Sequence, residues 1–151
     1  MKKLTIASFA IVLLMAVSAC SHFPHDDSGD LGRHWMLTEV ETLSTGETED
    51  YRPKKIFWAV QGIILEVFDK TPNSSTRQRG IVFHYEHKDN TLRLSEPRYN
   101  IREEGDPKVE DVEVLKHYGI NGLEEVFSVE SLDGTKMVLR SEQLRLRFKS
   151  F

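Results

Sequence analysis

The chain has 151 residues, a formal net charge of −4 and a single cysteine. The length suits one domain with a sizeable core once N-terminal targeting residues are set aside. An acidic chain is not typical of nucleic-acid-binding proteins, and a lone cysteine excludes an intrachain disulfide and a multi-thiolate metal site.

The N-terminus has the layout of a secretory signal. Lys2 and Lys3 precede an apolar run that is too short and too polar at its flank for a stable membrane span. The run ends in Val17–Cys20, which resembles the bacterial lipobox, in which the cysteine thiol takes up a diacylglyceryl group. The pattern predicts that residues 1–19 are a cleaved signal peptide and that Cys20 carries the lipid attachment, with two or more acyl chains giving stable anchoring.

Residues 20–32 are polar and without periodicity, which predicts a lipidated cysteine followed by a flexible tether. Residues 33–151 are then the folded domain. In enteric lipoproteins an aspartate directly after the cysteine accompanies retention in the inner membrane. Ser21 stands there instead and favours the outer membrane, with a periplasmic or a surface-facing domain. Asp26 and Asp27 resemble an acidic surface-export signal, and the alternative is a merely solvated tether.

The folded region begins with short β-like runs. Residues 35–43 are predicted as a strand, 44–53 as a loop, and 56–69 as two strands that turn at Gln61-Gly62, because Ile, Val, Phe and Trp dominate this stretch. Alternation places one set of side chains on the same face: Ile56, Trp58, Val60, Ile63, Leu65 and Val67. The other face then carries Phe57, Ala59, Ile64 and Phe68.

Five more strands are predicted after residue 80. They cover residues 81–87, 91–95, 126–132, 136–140 and 144–149. Asp89-Asn90 and Asp133-Gly134 are strong hairpin signals between neighbouring runs. The runs on either side of Ser141 are either two strands or one bulged strand.

One short helix is predicted late in the chain, after a loop at 96–105. Asp106 and Pro107 are typical of a helix start, and Gly119 is typical of a helix end. About eight strands, one helix and no alternation of strands with helices predict an all-β, mainly antiparallel sandwich or barrel, and we favour the barrel. Eight strands are also the number at which an up-and-down barrel encloses one small ligand.

Several segments together resemble the uncharacterised lipocalin-like lipoproteins of Gram-negative gut anaerobes. They are Gly32-x-x-Trp35, Phe57-Trp58-x-x-Gln61, Leu115-x-x-Tyr118-Gly119-Ile120, Phe127-x-Val129 and Met137-Val138-Leu139-x-Ser141-x-x-Leu144-x-Leu146-x-Phe148. The resemblance covers essentially the whole mature domain. It implies a small antiparallel lipocalin-like barrel with or without a cavity, and it implies no known ligand.

No residue pattern points to catalysis or to a cofactor. The sequence lacks Gly-x-Ser-x-Gly, His-Glu-x-x-His and phosphate-binding glycine loops. His84 and His87 fall on opposite faces of a strand and cannot converge on a metal, and His84 with Glu86 lacks a visible third ligand. We therefore expect no catalytic residues, no metal and no cofactor.

The aromatic side chains are the candidate ligand contacts, and core packing is their alternative role. The candidates are Trp35, Phe57, Trp58, Phe83, Tyr85 and Phe127. The first functional hypothesis is a lipid-anchored, non-enzymatic module that binds a small apolar ligand in the cell envelope. The second is an accessory subunit of an outer-membrane complex, in which a barrel with a filled core presents an outer face (Phe57, Ile64, Phe68) to a protein partner. An unrecognised hydrolase is a distant third.

Overall fold

The computed structural model describes residues 29–70 and 80–151, which form one antiparallel sheet of nine strands. The strands are β1 (His34–Thr42), β2 (Glu47–Asp50), β3 (Ile56–Gln61), β4 (Ile64–Asp69), β5 (Ile81–Lys88), β6 (Thr91–Tyr99), β7 (Glu125–Leu132), β8 (Lys136–Arg140) and β9 (Leu144–Ser150). These residues also form one α-helix, α1 (Glu113–Lys116), and 3₁₀ turns at Gly29–Leu31, Arg52–Lys54 and Arg102–Glu104. Within the described ranges, no helix has the length and apolar character needed to cross a membrane.

The sheet closes on itself because β1 pairs with β9 along almost its whole length. The closed set is β1-β3-β4-β5-β6-β7-β8-β9, and each of its strands runs antiparallel to both neighbours. β2 pairs only with the second half of β1 and stands outside the eight. This confirms the predicted up-and-down barrel of about eight strands with one short helix late in the chain.

A bulge in β1 keeps the apolar residues of this strand inside the barrel. Trp35 and Leu37 point inward by simple alternation, which would bring Glu39 inward next. The register shifts between Leu37 and Glu39, and the extra residue resets the alternation so that Val40 is buried instead. The bulge therefore removes a buried charge from β1.

Tight turns close one end of the barrel, which we call the N-terminal end. Gly62 and Ile63 join β3 to β4, one residue later than predicted, and a positive φ at Gly62 alone fits a type II′ turn. Asp89 and Asn90 both have positive φ, as a type I′ turn requires, so the predicted hairpin is confirmed.

The 3₁₀ turn Gly29–Leu31 lies across the same end. Leu31 is fully buried in the core, and its carbonyl accepts a hydrogen bond of 2.9 Å from the indole Nε1 of Trp35. The predicted tether of residues 20–32 thus overlaps the folded domain. The signal peptide, Cys20 and residues 21–28 and 71–79 lie outside the described residues.

Two segments that were predicted as loops form strands instead. They pair with the edge of a neighbouring strand, and such pairing is not visible in the local sequence pattern. Residues 47–50 are four exposed, polar positions without alternation, yet they form β2 because β1 offers a free edge beyond its pairing with β3. β6 continues to Tyr99 instead of ending at Ser95. A left-handed Glu96 (φ 52°) makes a bulge that accommodates Pro97, which has no N–H to donate.

The predicted helix start at Asp106-Pro107 is also wrong. Asp106 has a φ of 50°, and the following residues pair with the end of β6: Val109 N–H donates to the Pro97 carbonyl at 2.9 Å. Helix α1 is therefore only four residues long. The predicted helix end is confirmed, since Gly119 has a φ of 81° and the Ile120 N–H bonds to the Leu115 carbonyl at 3.2 Å.

Ion pairs cross the seam where β1 meets β9 and reach β7. Arg145 Nη1 lies 3.0 Å from Glu41 Oε2, and Arg145 Nε lies 2.7 Å from Glu130 Oε2. Arg147 bonds Glu39 and Glu41. The Arg145 guanidinium lowers the pKa of the Glu41 and Glu130 carboxyls.

We expect the barrel to lose stability as the pH falls below about 4.5, because protonation of Glu41 and Glu130 removes the seam ion pairs. Because the pKa of each carboxyl is lowered in the folded state, the stability gained from these ion pairs is fully present above the unfolded-state pKa. It is lost as the pH falls through the folded-state pKa. The Glu41→Gln/Glu130→Gln double variant should be less stable than wild type at pH 7 and should show a shallower acid loss in urea unfolding. Equal slopes of stability against pH in both proteins would contradict this.

Candidate functional site

Four of the six predicted ligand-contact aromatics meet inside the barrel. Trp35, Trp58, Phe83 and Phe127 are fully buried members of one core cluster. Trp58 is central to it: its ring centroid lies 5.7 Å from that of Phe127 and 5.0 Å from that of Phe148, both edge to face. These distances are normal for aromatic pairs in direct contact.

The interior around these aromatics is filled. A side chain that lined a space large enough for water would keep some accessible surface, and the four side chains have 0 % each. Three surface clefts of about 290, 560 and 460 Å³ lie elsewhere on the described residues, and none is lined by these four. In this conformation the predicted contacts pack against protein.

The other two candidates lie away from the centre of the core. Tyr85 is half-buried at the N-terminal end, where its hydroxyl donates to the Gly62 carbonyl at 2.7 Å. Phe57 was grouped with the others by residue type, but β3 alternation turns it outward from Trp58, and it is absent from the core cluster. The structure therefore does not bring Phe57 to the interior site.

Phe57 belongs instead to an aromatic cluster on the outer wall. Its ring stacks on Phe68 at 5.6 Å and meets Phe151 edge to face at 5.1 Å. The Lys70 ammonium lies 4.8 Å from the Phe57 centroid. Phe57 is only 3 % exposed and Phe68 is half-buried, so of the predicted outer face (Phe57, Ile64 and Phe68) only Ile64, at 40 %, is exposed.

The remaining interior volume at the opposite end, the mouth, is filled by residues 110–120, which we call the mouth segment. Leu115, Tyr118 and Ile120 of this segment belong to the same core cluster as Trp58. The Trp58 Nε1–H donates to the Tyr118 carbonyl at 3.2 Å. A Cβ on Gly119 would come within 2.9 Å of the Leu146 side chain, so the segment lies directly on the barrel wall.

Sequence reasoning missed the mouth segment as part of the site. The sequence predicted only a short helix in this region, with no indication that its apolar residues fill the barrel. The only hint was Leu115-x-x-Tyr118-Gly119-Ile120, where a glycine interrupts three large apolar residues in a loop. Such residues in a loop need burial elsewhere in the fold.

Among the residues that the structure describes, few polar contacts hold the mouth segment to the strands. Besides the Trp58 bond, His117 Nε2 lies 3.0 Å from Asp69 Oδ2. Just beyond the segment, the Asn121 N–H donates to Glu125, whose pKa is raised by burial. Burial, with the nearby Asp69 charge, raises the pKa of the Tyr118 hydroxyl to about 12.

The histidines of β5 do not form a metal site. His84 and His87 are exposed on this strand. Across residues 29–70 and 80–151, no three His, Cys, Asp or Glu side chains approach closely enough to hold a metal ion.

Comparison with known proteins agrees with this geometry. A family profile described as a lipocalin-like domain matches residues 13–151. A lipocalin-like protein from Bacteroides uniformis has a similar structure, with a TM-score of 0.61 and 19 % identity over 82 % of this chain and 100 % of that one. An uncharacterized protein from Bacteroides eggerthii has a similar structure with a TM-score of 0.59. It is 21 % identical in sequence, and the match covers 79 % of this chain and 98 % of that one. No curated protein matches the sequence.

We expect alkaline pH to loosen the mouth segment through Tyr118. Because its folded-state pKa is raised to about 12, the folded protein loses stability as the pH rises above the unfolded value of 10.0. Tyr118→Phe should flatten this loss in urea unfolding measured from pH 8 to about 11. Below about pH 9 Tyr118 is protonated in both the folded and the unfolded state, so wild type and Tyr118→Phe should show the same slope there, which serves as the control. An unchanged slope in Tyr118→Phe would refute the assignment.

Proposed function

The chain belongs to the lipocalin-like domain family, and on that premise we propose that it is a non-enzymatic binding module for a small apolar ligand, held in the cell envelope by a lipid on Cys20. The observation that carries this proposal is the mouth segment. It fills an apolar barrel interior with Leu115, Tyr118 and Ile120, and it is tied to the strands by few polar bonds. A ligand enters the barrel in exchange for these side chains.

The energetics of this exchange select the class of ligand. Exposing three large apolar side chains costs about 1.5–3 kcal/mol each, and each buried methylene of a ligand returns about 0.8 kcal/mol. A ligand therefore needs roughly six to eleven buried methylenes to displace the segment. Single-chain lipids such as dodecanoate meet this requirement, and small aromatic fragments do not.

A second function is favoured by the filled interior itself. If the mouth segment stays in place, the barrel is a solid body that binds through its surface, as an accessory subunit of an outer-membrane complex. The two functions differ in one measurable property, which is whether loosening the mouth segment creates binding of an apolar chain.

We expect Gly119→Ala to increase the affinity for dodecanoate about fivefold or more. The new methyl group meets Leu146 and occupies a left-handed conformation, which together destabilise the seated segment by at least about 1 kcal/mol. The free energy needed to displace the segment, which ligand binding must offset, falls by the same amount. Isothermal titration calorimetry with dodecanoate on the purified domain measures the change.

Gly105→Ala is the matched control. Gly105 also has a positive φ, but a Cβ there meets no atom within 4 Å and lies outside the mouth segment. This variant should bind dodecanoate as wild type does. If wild type and Gly119→Ala both fail to bind, the small-ligand function is refuted and the filled-barrel function is favoured.

The proposed anchor has its own test. Cys20 is the only cysteine, so Cys20→Ala removes the lipid attachment without affecting any other thiol. We expect wild-type protein to fractionate with the outer membrane after sucrose-gradient separation, and the variant to appear in the soluble fraction. Continued membrane fractionation of Cys20→Ala would contradict lipid attachment at this residue.

A further inference from the structure

Exposed apolar side chains gather at the N-terminal end of the barrel. Ile63, in the β3–β4 turn, is 74 % exposed, and its neighbour Ile64 is 40 % exposed. Phe151 is 75 % exposed, and its backbone N–H bonds to the His34 carbonyl at the start of β1. The remaining large exposed apolar residue of the described part, Val126, lies at the start of β7, toward the mouth.

The same end carries three exposed lysines, Lys88, Lys136 and Lys149, together with the exposed acids Asp30, Glu86, Asp89 and Asp133. Lys136 and Lys149 are directly opposite each other on β8 and β9, where like charges repel. Asp133 accepts hydrogen bonds within its own loop from Thr135 and from the Lys136 backbone.

The mouth end is acidic. Exposed acidic residues crowd its loops: Glu47, Glu49, Glu103, Glu104, Glu110, Asp111, Glu113, Glu124 and Glu142. The N-terminal end is balanced by comparison, with Arg33, Lys88, Lys136 and Lys149 beside Asp30, Glu86, Asp89 and Asp133. An anionic surface therefore repels the mouth more strongly than it repels the N-terminal end.

Chain length favours the same orientation. Eight residues separate Cys20 from Gly29, a distance of at most about 30 Å when fully extended. The tilted strands make the barrel about 20–25 Å tall. With the mouth toward the bilayer, nearly all of the tether would have to run straight along the barrel wall.

We propose that the N-terminal end of the barrel is a membrane-contact surface, which rests on the anionic bilayer that holds the lipid anchor. Ile63 and Ile64 enter the interfacial region, and Lys88, Lys136 and Lys149 face the lipid phosphates. The mouth then points away from the bilayer toward solvent. This inference rests on the proposed anchor at Cys20.

The test uses the lipidated full-length protein in vesicles of phosphatidylethanolamine and phosphatidylglycerol. Since Cys20 is consumed by the lipid, Ile63→Cys provides a single thiol for an environment-sensitive fluorophore. Glu104→Cys, exposed at the mouth end, is the matched control. We expect headgroup-level nitroxide lipids to quench the label at position 63 several-fold more than the label at position 104.

Charge reversal separates the contact from the anchor. Lys136→Glu/Lys149→Glu should abolish the excess quenching at position 63 while the protein still floats with the vesicles. Lys55→Glu/Lys108→Glu, which makes the same change in net charge at the mouth end, should leave quenching at position 63 unchanged. Protein that floats with equal quenching at both labels overturns the contact surface and leaves the anchor standing. Protein that does not float overturns both.

Discussion

The pairing of the first barrel strand with the last is the constraint on which the structure depends. It closes eight strands into a cylinder whose interior is filled by side chains. The side chains that point inward must then fit together in a fixed volume. The bulge that replaces Glu39 by Val40 in β1 is one result, and the edge-to-face packing of Trp58 with Phe127 and Phe148 is another.

Closure of the sheet leaves the two ends of the barrel open. Each of the two tryptophans of the chain forms a hydrogen bond to the segment that covers one of these ends. Trp35 donates to the Leu31 carbonyl in the N-terminal 3₁₀ turn, and Trp58 donates to the Tyr118 carbonyl in the mouth segment. A buried indole N–H needs an acceptor, and inside a barrel the strand carbonyls are already used in the ladder. The segments that cover the ends supply the missing acceptors.

The two covers differ in a way that gives the molecule a direction. The N-terminal end is built from tight turns with lysines and exposed apolar tips, next to the chain that leads to Cys20. The mouth is covered by a loop with a four-residue helix and an acidic surface. The two ends of the barrel therefore differ both in the structure that covers them and in their surface charge.

The amino-acid sequence by itself determined the strands that carry alternating apolar residues. The alternation of apolar and polar side chains predicts β3 to β5 and β7 to β9. The Asp89-Asn90 pair predicts the turn between β5 and β6, because both positions need a positive φ. The prediction of lipid attachment at Cys20 likewise rests on the sequence alone, on a local pattern that resembles the lipobox and does not depend on the fold.

Only the tertiary structure decided which aromatics share the interior and what fills the mouth. Residue type could not separate Phe57 from Trp58, since both are large and apolar and only the closed wall distinguishes inside from outside. β2, the end of β6 and the extended residues 107–109 form because neighbouring strands offer free edges, which depend on pairing partners distant in sequence. The position of the mouth segment also depends on tertiary structure, because its apolar residues can be buried only after the barrel has closed.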